Sequence, residues 1–228
     1  MNSNNANWEK LSIGSDESGK GDFFGALSIV AVKLDEPTLK KLKQTAFFKK
    51  IKDSKACTEE WIKEIAPQIM KLCEYSYIDL TIEEYNQLYA KYSNLNILIA
   101  FLHNKVHSEI KGDEFRVIDA FTNEKLYYEY LKKINEQPVT IDLFCTKAES
   151  YYLSVALASI IARYLFILKM ESISQKTGVA IPYGNSYYRP NSVIDAYLAL
   201  KKAGYKDEEI CTKLVKNHFS TLKKIKQL

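Results

Sequence analysis

The stretch Gly14–Asp22, "GSDESGKGD", decides how the rest of this chain is read. Its spacing follows the phosphate-cradle pattern G-x-x-x-x-G-K-[ST], in which the final hydroxyl holds magnesium against the phosphates. Gly21 stands where that hydroxyl belongs, and Asp16 and Glu17 sit in the middle of the loop. A loop that holds a triphosphate through backbone N–H groups gains from positive potential, so two interior carboxylates oppose it. A P-loop NTPase is therefore disfavoured. Two adjacent acids beside Gly-Lys-Gly repel each other unless a cation lies between them.

Working outward, residues 11–16 and 23–34 read as strands flanking this glycine-rich turn. The second is apolar on both faces ("LSIVAV"), as an internal strand of a sheet should be. "DSK" at 53–55 falls in a polar connection before a helix that starts near Thr58, with an acidic first turn. "YSYIDLTI" is a third strand, followed by helices over 83–92 and 95–111. In the second of these, Leu95, Leu98, Ile99, Leu102, Val106 and Ile110 form one apolar stripe. "FRVIDAF" (115–121) is a short strand leading to a helix from about Asn123, and "VTIDLFC" (139–145) is another strand. A long helix over 149–172 is apolar on nearly every side in its first half and should run through the core. Two short helices and a basic tail complete 191–228. The expectation is an α/β fold with a central mixed sheet flanked by helices and a helical C-terminal part.

Composition bounds the rest. The 228 residues are 46% apolar, with 16 Tyr, 10 Phe and few Gly or Pro, which suits an ordered globular chain. A net charge of +4 permits a polyanionic partner without demanding one. The cysteines at 57, 73, 145 and 211 form no C-x-x-C pair, so free thiols in a reducing compartment are expected. The polar start lacks a signal-peptide core, and the apolar run 153–168 is short and carries Arg163. The reading is a cytoplasmic monomer with no membrane segment.

Acids recur at strand ends and helix starts: Asp16 and Glu17, Asp119 after Val117-Ile118, Asp142 within a strand, and Glu149 at the opening of the long helix. A hard divalent cation needs oxygen ligands on a rigid frame, which apolar strands ending in carboxylates provide. Each also has a plain reading. Thr146-Lys-Ala-Glu149 is a capping box, Asp119 can form a turn, and Asp142, opposite Ile141 and Leu143, should face solvent. His103 and His107 lie one helical turn apart, a chelating spacing, but no acid stands between them and both border the apolar stripe.

Taken together, the chain resembles ribonuclease HIII, of the type 2 ribonuclease H family that includes ribonuclease HII. The resemblance rests on Asp16-Glu-Ser-Gly-Lys-Gly-Asp-Phe-Phe-Gly25, Asp53-Ser-Lys55, Tyr85-Asn86 with Asn94-Leu-Asn96 and His103, Val117-Ile-Asp119-Ala-Phe121, Thr146 to Arg163 ("TKAES…ASIIAR"), and Lys216-Asn-His218-Phe219. It is colinear over residues 11–222. Glu149, where the HII branch has Asp, favours HIII. Ala26 departs from the family's Pro, and Gly184-Asn-Ser186 from its Gly-Ala-Ser. The family's N-terminal substrate-binding domain is not seen in the polar residues 1–10, which leaves 11–228 as the catalytic domain.

The resemblance implies an endoribonuclease that cuts the RNA strand of RNA–DNA hybrids with Mg²⁺ or Mn²⁺, two ions during catalysis. It makes Asp16, Glu17, Asp119 and Glu149 the metal ligands, with Glu149 capping and coordinating at once. It gives Gly19, Lys20 and Gly21 the reading of the 2′-hydroxyl, the group that separates RNA from DNA. Lys20, Lys55 and Lys147 become phosphate contacts, and Asn94 and Asn96 contacts to the DNA strand, although Asn94 serves equally as a helix cap. The tail lysines either touch nucleic acid or form a solvated face. A binding module that kept the fold and lost catalysis is the alternative, and four intact acids oppose it.

Overall fold

The opening stretch folds as a strand as far as Ser18. In a computed structural model, which describes residues 7–51, 58–186 and 192–227, β1 (Ser12–Ser18) is followed by β2 (Ser28–Leu34), α1 (Glu36–Lys43) and α2 (Phe48–Ile51). Then come α3 (Glu59–Leu72), β3 (Glu74–Asp79), α4 (Ile82–Tyr92), α5 (Leu95–Glu109), β4 (Phe115–Asp119) and α6 (Glu124–Lys133). The chain ends with β5 (Leu143–Cys145), α7 (Leu153–Thr177), α8 (Val193–Lys202), α9 (Asp207–Lys213) and α10 (Ser220–Ile225). The strands form one mixed sheet in the order β3-β2-β1-β4-β5, the α/β arrangement expected.

The chain divides into two compact units, residues 1–18, 29–78 and 94–164, and residues 19–28, 79–93 and 165–228. The sheet belongs to the first. Within it, β1 and β4 run parallel with Ser15 opposite Ile118, and β4 and β5 run parallel with Asp119 opposite Cys145. Alternation along β1 sorts its side chains between two helices. Ser12 bonds Ser154 of α7 at 2.8 Å, while Ser15 bonds His103 of α5 at 2.8 Å. Ile118 accordingly packs with Ala100 and Tyr127 on one face, and Val117 with Ala148 and Val155 on the other. Gly14 is required by this packing: a Cβ there would lie 2.4 Å from Ser154 Oγ and 2.5 Å from the Val155 nitrogen. Its glycine serves helix-on-strand contact, not a phosphate turn.

In the second unit, Phe23 and Phe24 pack with Phe166, Met170, Tyr197 and Val215. This explains why β2 begins only at Ser28: the expected strand start at 23 is drawn into another core. Asn86 of α4 donates from Nδ2 to the carbonyls of Cys211 and Val215 at 3.1 and 3.0 Å. Lys216, read as part of a basic tail, is fully buried and donates at 2.6 Å to the carbonyls of both Asp22 and Gly25. Burial pushes its ammonium down to about 7.

Other boundaries move for local reasons. α1 begins after Asp35, whose side chain accepts from the Thr38 amide, with Pro at the helix start. The strand expected over 139–145 keeps only its last three residues, and just before them Asp142 ties to β4 twice, its amide donating to the Arg116 carbonyl at 3.0 Å and its side chain accepting from the Arg116 amide at 2.7 Å. Asp142 is exposed, as its alternation implied. Among the described residues the C-terminal part holds three helices where two were expected. α7 is long and apolar enough to cross a membrane by length and composition, yet 67% of its most apolar window is buried.

Candidate active site

Asp16 and Glu17 are neighbours on a strand, so they leave β1 toward opposite faces. Asp16 points with Ser12 and Gly14 toward α7, where Ser159 hydrogen-bonds its carboxyl. Its Oδ1 also accepts from the Glu17 amide at 2.7 Å. The next register step places Asp119, the last residue of β4, beside it on the same face. Burial first, then the charges of Glu17 and Asp119, push the Asp16 carboxyl up to about 8. Two carboxylates at the C-terminal ends of adjacent parallel strands occupy the place where open α/β sheets carry their ligands.

Asp119 also organises the fourth acid. Its Oδ1 accepts from the Ala148 amide at 2.8 Å, and Ala148 begins a short 3₁₀ turn, Ala148–Ser150, that carries Glu149. The expected helix start at 149 is therefore corrected: α7 begins at Leu153, and Glu149 precedes it. The expected capping box is corrected too. Lys147, at a left-handed φ of 57°, takes the cap position with no side-chain cap bond, and Asp119 supplies the acceptor from another strand. Burial and then the Asp119 charge raise the Glu149 carboxyl, while Lys147 opposes the shift. The Cys145 thiol is raised by burial and by the same two acids.

Glu17 leaves the opposite face and meets α5. Its Oε2 lies 3.2 Å from His103 Nε2, both side chains almost wholly buried. His103 Nδ1 is 2.8 Å from Ser15 Oγ, which is 2.9 Å from His107 Nε2. His103 also stacks on Phe121 with ring centres 5.4 Å apart. The two histidines are therefore joined through one serine, and both are buried. Sequence reasoning missed Ser15 as the bridge and Ser159 as the Asp16 partner. Ser159 was legible only as a polar break in "VALASIIA".

A cleft of about 310 Å³ opens beside these acids, lined by Glu17, Ser18, Glu149, Ser150, Ser159 and Arg163. Among the described residues, no three His, Cys, Asp or Glu side chains converge tightly enough to hold a metal as they stand. Like charges hold carboxylates apart until a cation draws them in. Carboxylate oxygens of this kind are the donors that a hard divalent ion takes.

The residues expected to meet substrate differ in their local surroundings. Lys20 and Gly21 are exposed, and a Cβ on Gly21 would meet nothing within 4 Å. Gly19 has φ +93°, and its Cβ would fall 2.5 Å from the Ala26 carbonyl. Gly184 donates its amide to Asp22 Oδ1 at 2.6 Å just beyond this loop. Lys147 is exposed. Asn94 caps α5, its Oδ1 accepting from the amides of Asn96 and Ile97 at 2.8 and 3.2 Å. Lys55 lies outside the described residues.

A family model described as ribonuclease HII matches residues 13–222. Ribonuclease HIII of Ureaplasma parvum serovar 3 is 39% identical over 218 residues, which cover 93% of this chain and 66% of that protein. Ribonuclease HIII of Bacillus cereus is 37% identical over 218 residues, covering 93% and 67%. The crystal structure of Bst-RNase HIII in complex with Mn²⁺ superposes with a TM-score of 0.83 at 31% identity, covering 97% of this chain and 71% of that one. The chain thus spans about two thirds of the length of the curated relatives it matches. It belongs to the type 2 ribonuclease H family, with ribonuclease HIII proteins as the relatives matched at 37–39% identity.

Proposed function

We propose that this chain is an endoribonuclease that cleaves the RNA strand of RNA–DNA hybrids, leaving 3′-hydroxyl and 5′-phosphate ends. The observation that carries this reading is the juxtaposition of Asp16 and Asp119 at the ends of adjacent parallel strands, with Glu149 on the turn that Asp119 caps, in a chain of this family. Carboxylates crowded in this way repel one another, and a cation that joins them stabilises their ionised form. Asp16, Glu17, Asp119 and Glu149 would hold Mg²⁺ or Mn²⁺, two ions during catalysis, and the Mn²⁺ complex of Bst-RNase HIII supports the metal class. When bound, such ions supply a water acidified toward neutrality and positive charge for the leaving oxygen.

The chain's own part is orientation. Ser159 and the Glu17 amide fix the Asp16 carboxyl, and the Ala148 amide fixes Asp119. Gly19, Lys20 and Gly21 would read the 2′-hydroxyl, since glycines let the backbone come close to a sugar. Lys20, Lys55 and Lys147 would contact phosphates, which position the duplex without reading its sequence. Asn94 Oδ1 serves the helix cap, so a contact to the DNA strand falls to its Nδ2, with Asn96 beside it. We read the enzyme as a cytoplasmic monomer with no membrane contact. Its free thiols Cys73, Cys145 and Cys211 suit a reducing compartment.

The test is a panel of labelled substrates: an RNA–DNA hybrid, an all-DNA duplex and a DNA duplex with one embedded ribonucleotide, each with Mg²⁺, Mn²⁺ or EDTA. Metal-dependent cutting of the hybrid and none of the all-DNA duplex is expected. Hybrid cutting that survives EDTA would overturn the reading.

A further inference from the structure

The geometry points to His103 as a positioning residue that presents a fixed N–H to Glu17, held in that state by a buried chain through Ser15 and His107 to Arg116. This inference rests on the reading of Glu17 as a metal ligand.

Hydrogen-bond polarity sets the direction of the chain. Arg116 Nη1 lies 3.4 Å from His107 Nδ1 and donates to the His107 carbonyl at 2.7 Å. A guanidinium carries donors only, so His107 Nδ1 must accept. Neutral imidazole then bears its proton on Nε2, which donates to Ser15 Oγ at 2.9 Å. Burial, then the charges of His103 and Arg116, hold His107 well below the usual imidazole range, in keeping with that neutral form. Ser15 has one hydroxyl proton. With its oxygen accepting from His107, that proton goes to His103 Nδ1 at 2.8 Å. His103 is left with its proton on Nε2, directed at Glu17 Oε2 3.2 Å away.

All three intermediate side chains, Ser15, His103 and His107, are fully buried, so water does not scramble the chain. Arg116 is anchored further by its Nη2 donation to the Ile110 carbonyl at 2.9 Å. The consequence is a carboxylate with one oxygen held in a set direction while the protein waits for its cation. Groups that orient a ligating carboxylate from behind typically contribute about 10–100-fold in metal affinity or activity.

The experiment measures Mn²⁺ binding to the full chain by calorimetry and the Mn²⁺ concentration for half-maximal hybrid cleavage. The variants are His103→Leu, His103→Gln, Ser15→Ala, Glu17→Gln and the double variant Glu17→Gln/His103→Leu. His103→Leu should raise the half-saturating Mn²⁺ about 10–100-fold. His103→Gln keeps an N–H donor and should recover most of the loss. Ser15→Ala touches Glu17 through His103 alone and should give a smaller shift in the same direction. In the Glu17→Gln background, His103→Leu should add nothing further. Unchanged Mn²⁺ dependence in His103→Leu, or in both His103→Gln and Ser15→Ala if the Leu variant does not fold, would overturn the inference while Glu17→Gln still weakens Mn²⁺. If Glu17→Gln binds Mn²⁺ as the wild type does, the ligand reading itself falls, and the inference with it.

Discussion

Asp119 Oδ1 accepts the Ala148 amide proton at 2.8 Å, so the carboxylate that ends β4 also caps the turn bearing Glu149. One side chain thus ties together two acids separated by 30 positions, and its two roles come apart under mutation. Asp119→Asn keeps an oxygen for the Ala148 amide and removes the charge. Asp119→Ala removes both. Cleavage should be lost in each, whereas stability should fall by about 1 kcal/mol only in the alanine variant, the usual cost of a lost cap. Denaturant unfolding beside a cleavage assay checks this. Equal destabilisation by both would assign the residue to structure alone.

The Asp16 carboxyl gives a pH dependence whose sign is set. Its folded value lies near 8 against an ordinary 3.8. Between those limits the folded chain holds a proton that the unfolded chain has released, so metal-free stability falls as pH rises through this window and levels off above it. Asp16→Asn should remove about 2–4 kcal/mol of that fall. Thermal melts in EDTA at pH 5, 6, 7 and 8 measure it. A wild type and an Asp16→Asn variant with parallel profiles would contradict the burial of this acid among its neighbours.

Gly19 and Gly21 separate loop geometry from substrate contact. A side chain at Gly19 collides with the Ala26 carbonyl and strains a positive φ, so Gly19→Ala should lose stability as well as activity. Gly21 has open space around it, so Gly21→Ala should melt like the wild type and lose turnover or its preference for RNA. A Gly21→Ala enzyme with unchanged activity and discrimination would remove this residue from the substrate-reading loop.

Much of this was legible beforehand, and the failures have physical causes. Asp16, Glu17 and Asp119 stood out as acids at the ends of apolar strands, although Asp119 read equally as a turn residue until the resemblance joined it to the others. Glu149 was singled out but placed in the wrong element: its spacing from Thr146 fits a local cap, and the Asp119 acceptor comes from a strand 29 residues earlier. His103 and His107 showed a helical spacing, yet nothing local reveals that Ser15 sits between them, 88 and 92 positions away. Lys216 looked like one more solvated lysine. The carbonyls it satisfies lie 194 and 191 residues back in the chain. Long-range partners are what pattern reading omits.

Substrate contact through Lys20, Lys55 and Lys147 alone predicts a shallow salt dependence. Each phosphate neutralised contributes roughly 0.7–0.9 to the slope of log affinity against log salt, so a value of about 2–3 is expected. Lys20→Ala and Lys147→Ala should each lower it by about one contact and act mainly on KM. Hybrid binding measured across a salt series decides. A slope equivalent to about six or more contacts would reveal a further basic surface.

The most direct test is one labelled RNA–DNA hybrid incubated with the wild type and with Asp16→Asn in Mn²⁺, with product ends identified and Mn²⁺ binding measured on both proteins. The account predicts 3′-hydroxyl and 5′-phosphate products from the wild type, no cleavage by a folded Asp16→Asn variant, and weaker Mn²⁺ binding in that variant. Cleavage by Asp16→Asn at the wild-type rate, or Mn²⁺ binding unaffected by the substitution, would contradict it.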